Sequence, residues 1–263
     1  MHVFQGFGLA LWDEAHRVGA DYFSQSCYRI PARLRLGVSA TPDRRDGKTQ
    51  VIEAHIGKVK VSSTRATTTP KVLLKTSPWQ IPLVKVKDKD GNLVTAQMPH
   101  SPMNCGHVIR MLSRHHGRNE MIRNFVTAAY KKGRVTLVQS DRLEHLEQLT
   151  AMFVGNGIPA SDIGHYASGL TTSERELIKK KRIIVATYQM TAEATDIPEL
   201  DTLVMGTPKS DVIQIVGRIL REHPDKKDPL VFDIVDDSSS LFTGYARNRQ
   251  KWYKEIGAPI DRL

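Results

Sequence analysis

The chain has 263 residues, 40% of them hydrophobic, enough for one large or two ordinary domains with packed cores. Two cysteines, Cys27 and Cys105, exclude a disulfide framework and point to a reducing, cytoplasmic interior. No run reaches the roughly 18 apolar residues of a membrane helix, and the apolar N-terminus has neither a basic leader nor a cleavage site, so no membrane partner is expected. The net charge is +10, and all of it lies in residues 1–130, where 19 Lys and Arg face 9 Asp and Glu; residues 131–263 carry 19 of each. A one-sided positive field suits a polyanion such as nucleic acid, with a solvated basic surface as the plainer alternative.

Two short apolar runs open the chain. Residues 7–12 (FGLALW) and 34–39 (LRLGVS) each lead into polar residues, the pattern of buried strands in a parallel sheet. Residues 19–34 between and into them read as helix and turn. Residues 64–94 are rich in Thr, Pro and Lys, with alternation and a turn signal at Asp90–Gly91. A connector or hairpin insertion is therefore expected over 63–105, separating 1–62 from 106–263.

From residue 106 the pattern becomes regular. Residues 107–132 predict a helix broken near Gly117, and 134–140 a strand. A helix over 141–154 has Asp141 as its expected N-cap. Strands follow at 181–188 and 201–208, then a helix over 210–222 capped by Ser210. A strand at 229–236 and a polar helix near 239–256 close the chain. Strands alternating with helices predict a doubly wound α/β domain. No repeat of fixed period and no low-complexity tract occurs.

Asp13 and Glu14 end the first apolar run. Ligands of open parallel sheets bind at the carboxyl ends of strands. Mg²⁺ takes few protein carboxylates and keeps several waters. One acid near such an ion and a second orienting a water is what phosphoryl hydrolysis requires. Adjacent acids also commonly mark a helix start, but Ser39-Ala40-Thr41 at the end of the second run strengthens the ligand reading. Gln214, Arg218 and Arg221 are spaced four and three apart, so they are expected on one helix face, toward a cleft or solvent. Thr187 ends a strand and has a hydroxyl suited to a nucleic-acid phosphate. His100, Cys105, His107, His115 and His116 match no structural zinc spacing and read as linker and helix-surface residues.

Four segments then stand in a telling order: DEAH at 13–16, SATPDRRDG at 39–47, ATYQMTAEATDIP at 186–198 and QIVGRILR at 214–221. They resemble motifs II, III, V and VI of superfamily 2 helicases. RN at 118–119 and LVQSDRLEHLEQL at 137–149 resemble the linker and motif IV region. The flavour is that of the XPB, UvsW and type III restriction-subunit branch, often phage-encoded. The resemblance spans nearly the whole chain. It implies RecA-like doubly wound sheets, one complete C-terminal domain over 106–263 and the C-terminal part of a first domain over 1–62. It also implies ATP and Mg²⁺ in the cleft between the two domains, and DNA, double-stranded or branched, in preference to RNA.

By that resemblance Asp13 holds Mg²⁺ through water, Glu14 orients the attacking water, and His16 links this motif to the second domain. Ser39 and Thr41 couple nucleotide state to nucleic-acid grip. Gln214 contacts the γ-phosphate beside Gly217, Arg218 and Arg221 are arginine fingers, and Asp196 communicates with the nucleotide. One departure is Ala194, where the family usually has a glycine; the local backbone conformation is in question there.

The phosphate loop GxxxxGK[ST] is not found in these residues. Gly47-Lys48-Thr49 lacks the glycine five positions earlier, where Pro42 sits, and follows the acids instead of preceding them. The expectation is the C-terminal half of a split or truncated helicase, needing a separate N-terminal fragment that carries this loop. The alternative is a non-catalytic nucleic-acid-binding remnant or regulator. A nuclease or methyltransferase is disfavoured, since no second carboxylate cluster or cofactor glycine motif occurs.

Overall fold

The computed structural model describes residues 4–39, 44, 46–62, 68–87, 89, 91–190 and 197–263, and it divides into two units, 1–65 and 66–263.

In the first unit, β1 (Leu9–Trp12) and β2 (Leu34–Gly37) pair in parallel, Leu9 opposite Leu34 and Trp12 opposite Gly37. A 3-10 turn (Ala15–Gly19), α1 (Asp21–Arg29) and α2 (Thr49–His55) pack against one face, where Val18, Cys27 and Ile52 are buried. Arg35 ties this layer together. Its guanidinium donates to the carbonyls of Cys27 (2.9 Å), Ile30 (3.3 Å) and His55 (3.1 Å). One cation thus satisfies the carboxyl ends of both helices, where unpaired carbonyls and the helix dipole favour positive charge. The expectation of fully buried strands is corrected here. Leu9, Leu11, Leu34 and Leu36 are 49–64% exposed, because the described helices of this unit cover only the opposite face.

The second unit is built on a seven-stranded, all-parallel sheet in the order β11-β3-β10-β9-β6-β8-β7. Its strands are β3 (Lys71–Thr76), β6 (Thr136–Ser140), β7 (Ile163–Tyr166), β8 (Ile183–Thr187), β9 (Thr202–Met205), β10 (Leu230–Val235) and β11 (Ile260–Arg262). The central runs are buried on both faces, as a parallel sheet covered by helices requires. Alternate residues serve opposite cores. Leu137, Ile184, Leu203 and Val231 meet α7 (Ile213–Ile219) and α8 (Ser240–Glu255). Val138, Ile183, Val204 and Phe232 meet α4 (His116–Lys131) and α5 (Leu143–Gly155). A smaller cluster of Trp79, Val108, Leu112 and Phe242 seats α3 (Cys105–Ser113). α6 (Thr172–Lys179) begins with a capping box, Thr171 and Glu174, which the periodicity did not reveal.

Several expectations are corrected. Lys71–Thr76 was assigned to the connector, yet it is β3, paired residue for residue with β10. Val72 and Leu74 are buried on one face of it, and β11 pairs along its other edge. Only residues 83–97 form the expected hairpin, β4 (Leu83–Lys87) antiparallel to β5 (Leu93–Gln97). With the division at 65/66, the first unit carries 10 Lys and Arg against 6 acids and the second 28 against 22, so the excess is shared. Asp141 does not cap α5. Its carboxylate meets the Lys209 ammonium at 3.1 Å, and Arg142 holds the cap position without a side-chain bond. Ser210 does not cap α7 either; it accepts from Asn248, while Asp211 accepts the Ile213 amide at 3.2 Å. The helix break is at Arg114–His115, where the His115 ring accepts the Arg118 amide. Among the described residues no helix is long and apolar enough to cross a membrane.

Candidate active site

The acid pair sits on a turn pinned to both strands of the first unit. Ala15 donates to the Val38 carbonyl (2.9 Å), and Val38 donates to the Trp12 carbonyl (3.0 Å). Between them Glu14 adopts φ 49°, ψ 50°, the one non-glycine with positive φ among the described residues. That conformation costs an L-residue about 1–2 kcal/mol. Such strain concentrates at functional sites, where the surroundings over-determine it. Asp13 accepts the Glu14 amide at 2.8 Å and is exposed. His16 Nδ1 lies 3.2 Å from Glu14 Oε2 and 2.9 Å from Ser39 Oγ. A single imidazole therefore joins the acid turn to the segment after β2. Arg44 donates to the His16 carbonyl at 2.7 Å and pairs with Asp46. Gly37 permits the close approach, since a Cβ there would lie 2.8 Å from the Ala15 Cβ.

The Asp13 carboxylate is an oxygen donor of the kind that hard cations such as Mg²⁺ take. Among the described residues no three acid, His or Cys groups converge. An exposed carboxylate at a strand end fits a hard cation held mostly by water and phosphate. Gly47-Lys48-Thr49 is engaged elsewhere. Lys48 pairs with Asp21 at 2.8 Å, and the Thr49 hydroxyl accepts the Arg44 amide at 2.9 Å.

In the second unit, Thr187 ends β8 and its hydroxyl accepts the Met190 amide at 3.3 Å. Gln214 and Arg218 stand four apart on α7. Gln214 is exposed, and Arg218 is half-buried, its pKa drawn down by burial. Arg221 is not on their helix. α7 ends at Ile219, and the Arg221 carbonyl accepts the Lys226 ammonium in the bend beyond. The expected shared face of three residues thus reduces to two. A Cβ at Gly217 would meet nothing within 4 Å, so no neighbour in this unit demands glycine there. Thr41, Ala194 and Asp196 lie outside the described residues.

A buried polar network at the carboxyl ends of these strands was largely missed by the sequence reading. Arg118 donates to both Asp236 oxygens at 2.9 and 3.0 Å, with both side chains fully buried, and also to the Gly206 carbonyl. Asn119 donates to the Ser113 carbonyl at 2.8 Å and meets His145 Nε2 at 3.0 Å. His145 Nδ1 lies 3.0 Å from Ser140 Oγ. Ser, His and Asn in a row resemble a nucleophilic triad, but all three are buried and the row acts as a strut. Lys209 adds a cation over the Tyr188 ring, 4.8 Å from its centroid. Two of the questioned histidines have ordinary partners: His115 caps α4, and His100 meets Ser239.

Burial, and then the Arg118 charge, push the His145 pKa down to about 3. The folded ring stays neutral where the unfolded one, near 6.5, takes a proton. Its stability contribution is therefore full above about pH 6.5 and lost as pH falls toward 3. On lowering pH from about 6.5 to 4.5, the parent chain is expected to lose roughly 2 kcal/mol more unfolding free energy than His145→Gln. Urea unfolding of both proteins at the two pH values reads this difference; equal losses would remove His145 from the account.

No family model matches the chain. It is 27% identical over 256 residues to a putative ATP-dependent RNA helicase, L396, of Acanthamoeba polyphaga mimivirus, covering 96% of this chain and 48% of that protein. It is 23% identical over 266 residues to the putative ATP-dependent RNA helicase QP509L of African swine fever virus, covering 98% and 52%. The chain spans about half the length of these curated relatives. Among solved structures it resembles UvsW of T4, with TM-score 0.53, 20% identity and coverage of 99% of this chain and 55% of that one. It also resembles the DUF1998 helicase MrfA bound to DNA and AMPPNP, with TM-score 0.60, 13% identity and coverage of 98% and 35%. The fold is RecA-like, and the chain is similar over nearly its whole length to viral proteins named as putative helicases.

Proposed function

We propose that the chain is the nucleic-acid-translocating, ATP-hydrolysing section of a superfamily 2 helicase, completed by a phosphate loop that lies outside these residues. The observation that carries this reading is the acid turn: a strained Glu14 beside an exposed Asp13, tied through His16 to Ser39. Asp13 would hold Mg²⁺ through water, and the ion would screen the phosphate charge. Glu14 would orient the attacking water and take its proton, with His16 steadying the carboxylate. Ser39, Thr41 and Thr187 would pass the nucleotide state to the nucleic-acid grip. Gln214 and Arg218, with Asp196 and Arg221, would serve the nucleotide from the second unit. Gly217, free of neighbours, would let the α7 backbone approach the phosphates.

The experiment is ATP turnover with and without nucleic acid. These residues contain no phosphate loop to cradle the β- and γ-phosphates. The chain alone is therefore expected to show no stimulated hydrolysis. Turnover that rises with DNA and vanishes in Glu14→Gln would overturn the need for a phosphate loop outside these residues.

DNA is the polymer proposed, on the motif flavour; the relatives are named RNA helicases, so RNA is run beside it. Binding is expected to be steeply salt-dependent, given the +10 charge. With about five phosphates neutralised, the association constant would fall roughly 10²–10³-fold between 50 and 200 mM salt. Fluorescence anisotropy of labelled duplex and RNA measures this. A flat salt response sinks the electrostatic reading, and tighter RNA binding reverses the choice of polymer.

A further inference from the structure

The second unit gathers positive charge at the end of its sheet away from Thr187 and the buried network. β10, β9, β6 and β8 are neighbours and parallel. Thr136 stands in register with Ile183 and with Thr202, and Thr202 with Leu230. The amino ends of these strands therefore lie side by side, together with the residues that lead into them. Lys131, Lys132 and Arg134 precede β6, Lys179–Arg182 precede β8, and Lys226 and Lys227 precede β10. Three segments distant in the chain thus bring nine cations to one edge. The contacts agree with the register. The Arg182 guanidinium donates to the Tyr130 carbonyl at 3.0 Å and lies over the Tyr130 ring, 4.6 Å from its centroid. The Lys227 ammonium donates to the Lys132 carbonyl, and the Lys181 ammonium to that of Ser161 at 2.7 Å.

Carboxylates meet only part of this charge. Asp201 pairs with Arg134, Glu176 pairs with Lys179, and Asp162 accepts the Tyr130 hydroxyl. Asp201 and Glu199 act on Lys226, with Asp225 and Asp228 beside it in the chain. Among the described residues, Lys131, Lys132, Lys180, Lys181, Arg182 and Lys227 make no ion pair. A carbonyl partner takes up a hydrogen bond but leaves the positive charge in place. Cations so gathered repel one another, and a polyanion laid across them removes that cost. Four strands about 4.8 Å apart make the strip roughly 14 Å wide, enough for about four phosphates of one duplex strand. Sites for single strands stack bases on aromatic rings. Among the described residues of the second unit no aromatic side chain is exposed. We propose that this edge grips the phosphate backbone of a nucleic-acid duplex. The five residues of β6 and of β8, at about 3.3 Å each, set it roughly 16 Å from the carboxyl ends of the same strands. Such a grip positions a duplex without reading its sequence and needs no nucleotide, so it goes beyond the ATP-hydrolysing reading above.

The test is binding of a labelled duplex by the full chain carrying Lys131→Gln, Lys132→Gln and Lys180→Gln together. All three side chains are exposed and stand outside the candidate site. Losing three phosphate contacts makes the slope of log K against log salt shallower by about 3. Between 50 and 200 mM salt the parent's loss of affinity should therefore exceed the variant's about 40-fold. A control, Lys85→Gln with Lys87→Gln and Lys89→Gln, removes the same charge from the exposed hairpin and should keep the parent slope. Equal flattening in both variants would show a diffuse field and overturn the local grip, as would a parent slope in the first variant. Lysine acetylation of the parent, read by mass spectrometry, needs no substitution. Lys131, Lys132, Lys180 and Lys227 should react at least tenfold more slowly with duplex bound, and unchanged rates overturn the proposal. Two further ligands are run beside the duplex. Tighter, patch-dependent binding of a single strand of the same length rejects the duplex as occupant. Patch-dependent binding of phosphatidylserine vesicles, with duplex binding unaltered, assigns the edge to a membrane surface and rejects it too. None of these readings uses ATP, so failure of the grip leaves the helicase reading standing, and an inactive motor leaves the grip standing.

Discussion

Arg218→Ala is expected to lower ATP turnover about 10³–10⁵-fold when the chain is mixed with a fragment bearing the phosphate loop. That is roughly 4–7 kcal/mol of transition-state stabilisation. Charge builds on the transferring phosphoryl group, and a guanidinium in a site poor in water stabilises it strongly. Arg218 suits this role better than Arg221. It is half-buried on α7, four residues from Gln214, and that burial draws its pKa down. Arg221 lies past the helix end, exposed, so Arg221→Ala is expected to cost less. Arg218→Lys should not rescue, because an ammonium cannot reproduce the planar fork of donors. Nucleic-acid affinity, measured on the same mixtures, should stay within a few-fold of the parent. If Arg218→Ala turns over ATP at the parent rate, the mechanism proposed for α7 is wrong.

The second large effect is structural. Asp236→Ala strands the Arg118 guanidinium in a fully buried site with only the Gly206 carbonyl left to it. Removing one partner of a buried pair typically costs about 3–5 kcal/mol. For a unit of this size that is a fall of roughly 10 °C in melting temperature. Replacing both partners with apolar residues, Arg118→Met with Asp236→Leu, should cost clearly less, since no uncompensated charge remains. Calorimetry of the three variants and the parent decides it. A single-variant loss below about 1 kcal/mol would show that water enters the site and that the pair does not hold the strand ends together.

The sequence by itself determined the parts that depend on short-range pattern. The doubly wound α/β class followed from apolar runs such as 134–140, 181–188 and 201–208, which became β6, β8 and β9. Parallel strands covered on both faces read as continuous apolar runs, so burial is written directly into them. The motif order placed Asp13, Glu14 and His16 together because they are neighbours in the chain. What pattern could not show was the left-handed backbone of Glu14, which is imposed by bonds to β2 more than twenty residues later.

Tertiary structure alone decided the rest, for reasons of competition and distance. Lys71–Thr76 looked like a connector because its Thr- and Pro-rich flanks dominate the composition; pairing with β10, some 160 residues on, made it a strand. Asp141 looked like a helix cap, yet Lys209 and Thr207 compete for its carboxylate. Ser210 lost its helix to Asp211 in the same way. The α7 helix stops before Arg221, so a spacing of three placed that residue on a face it does not occupy. Arg118 pairs with Asp236 across 118 positions, and His145 meets Asn119 across 26. No local periodicity encodes such partners, because a buried charge is satisfied by whichever opposite group the fold brings to it.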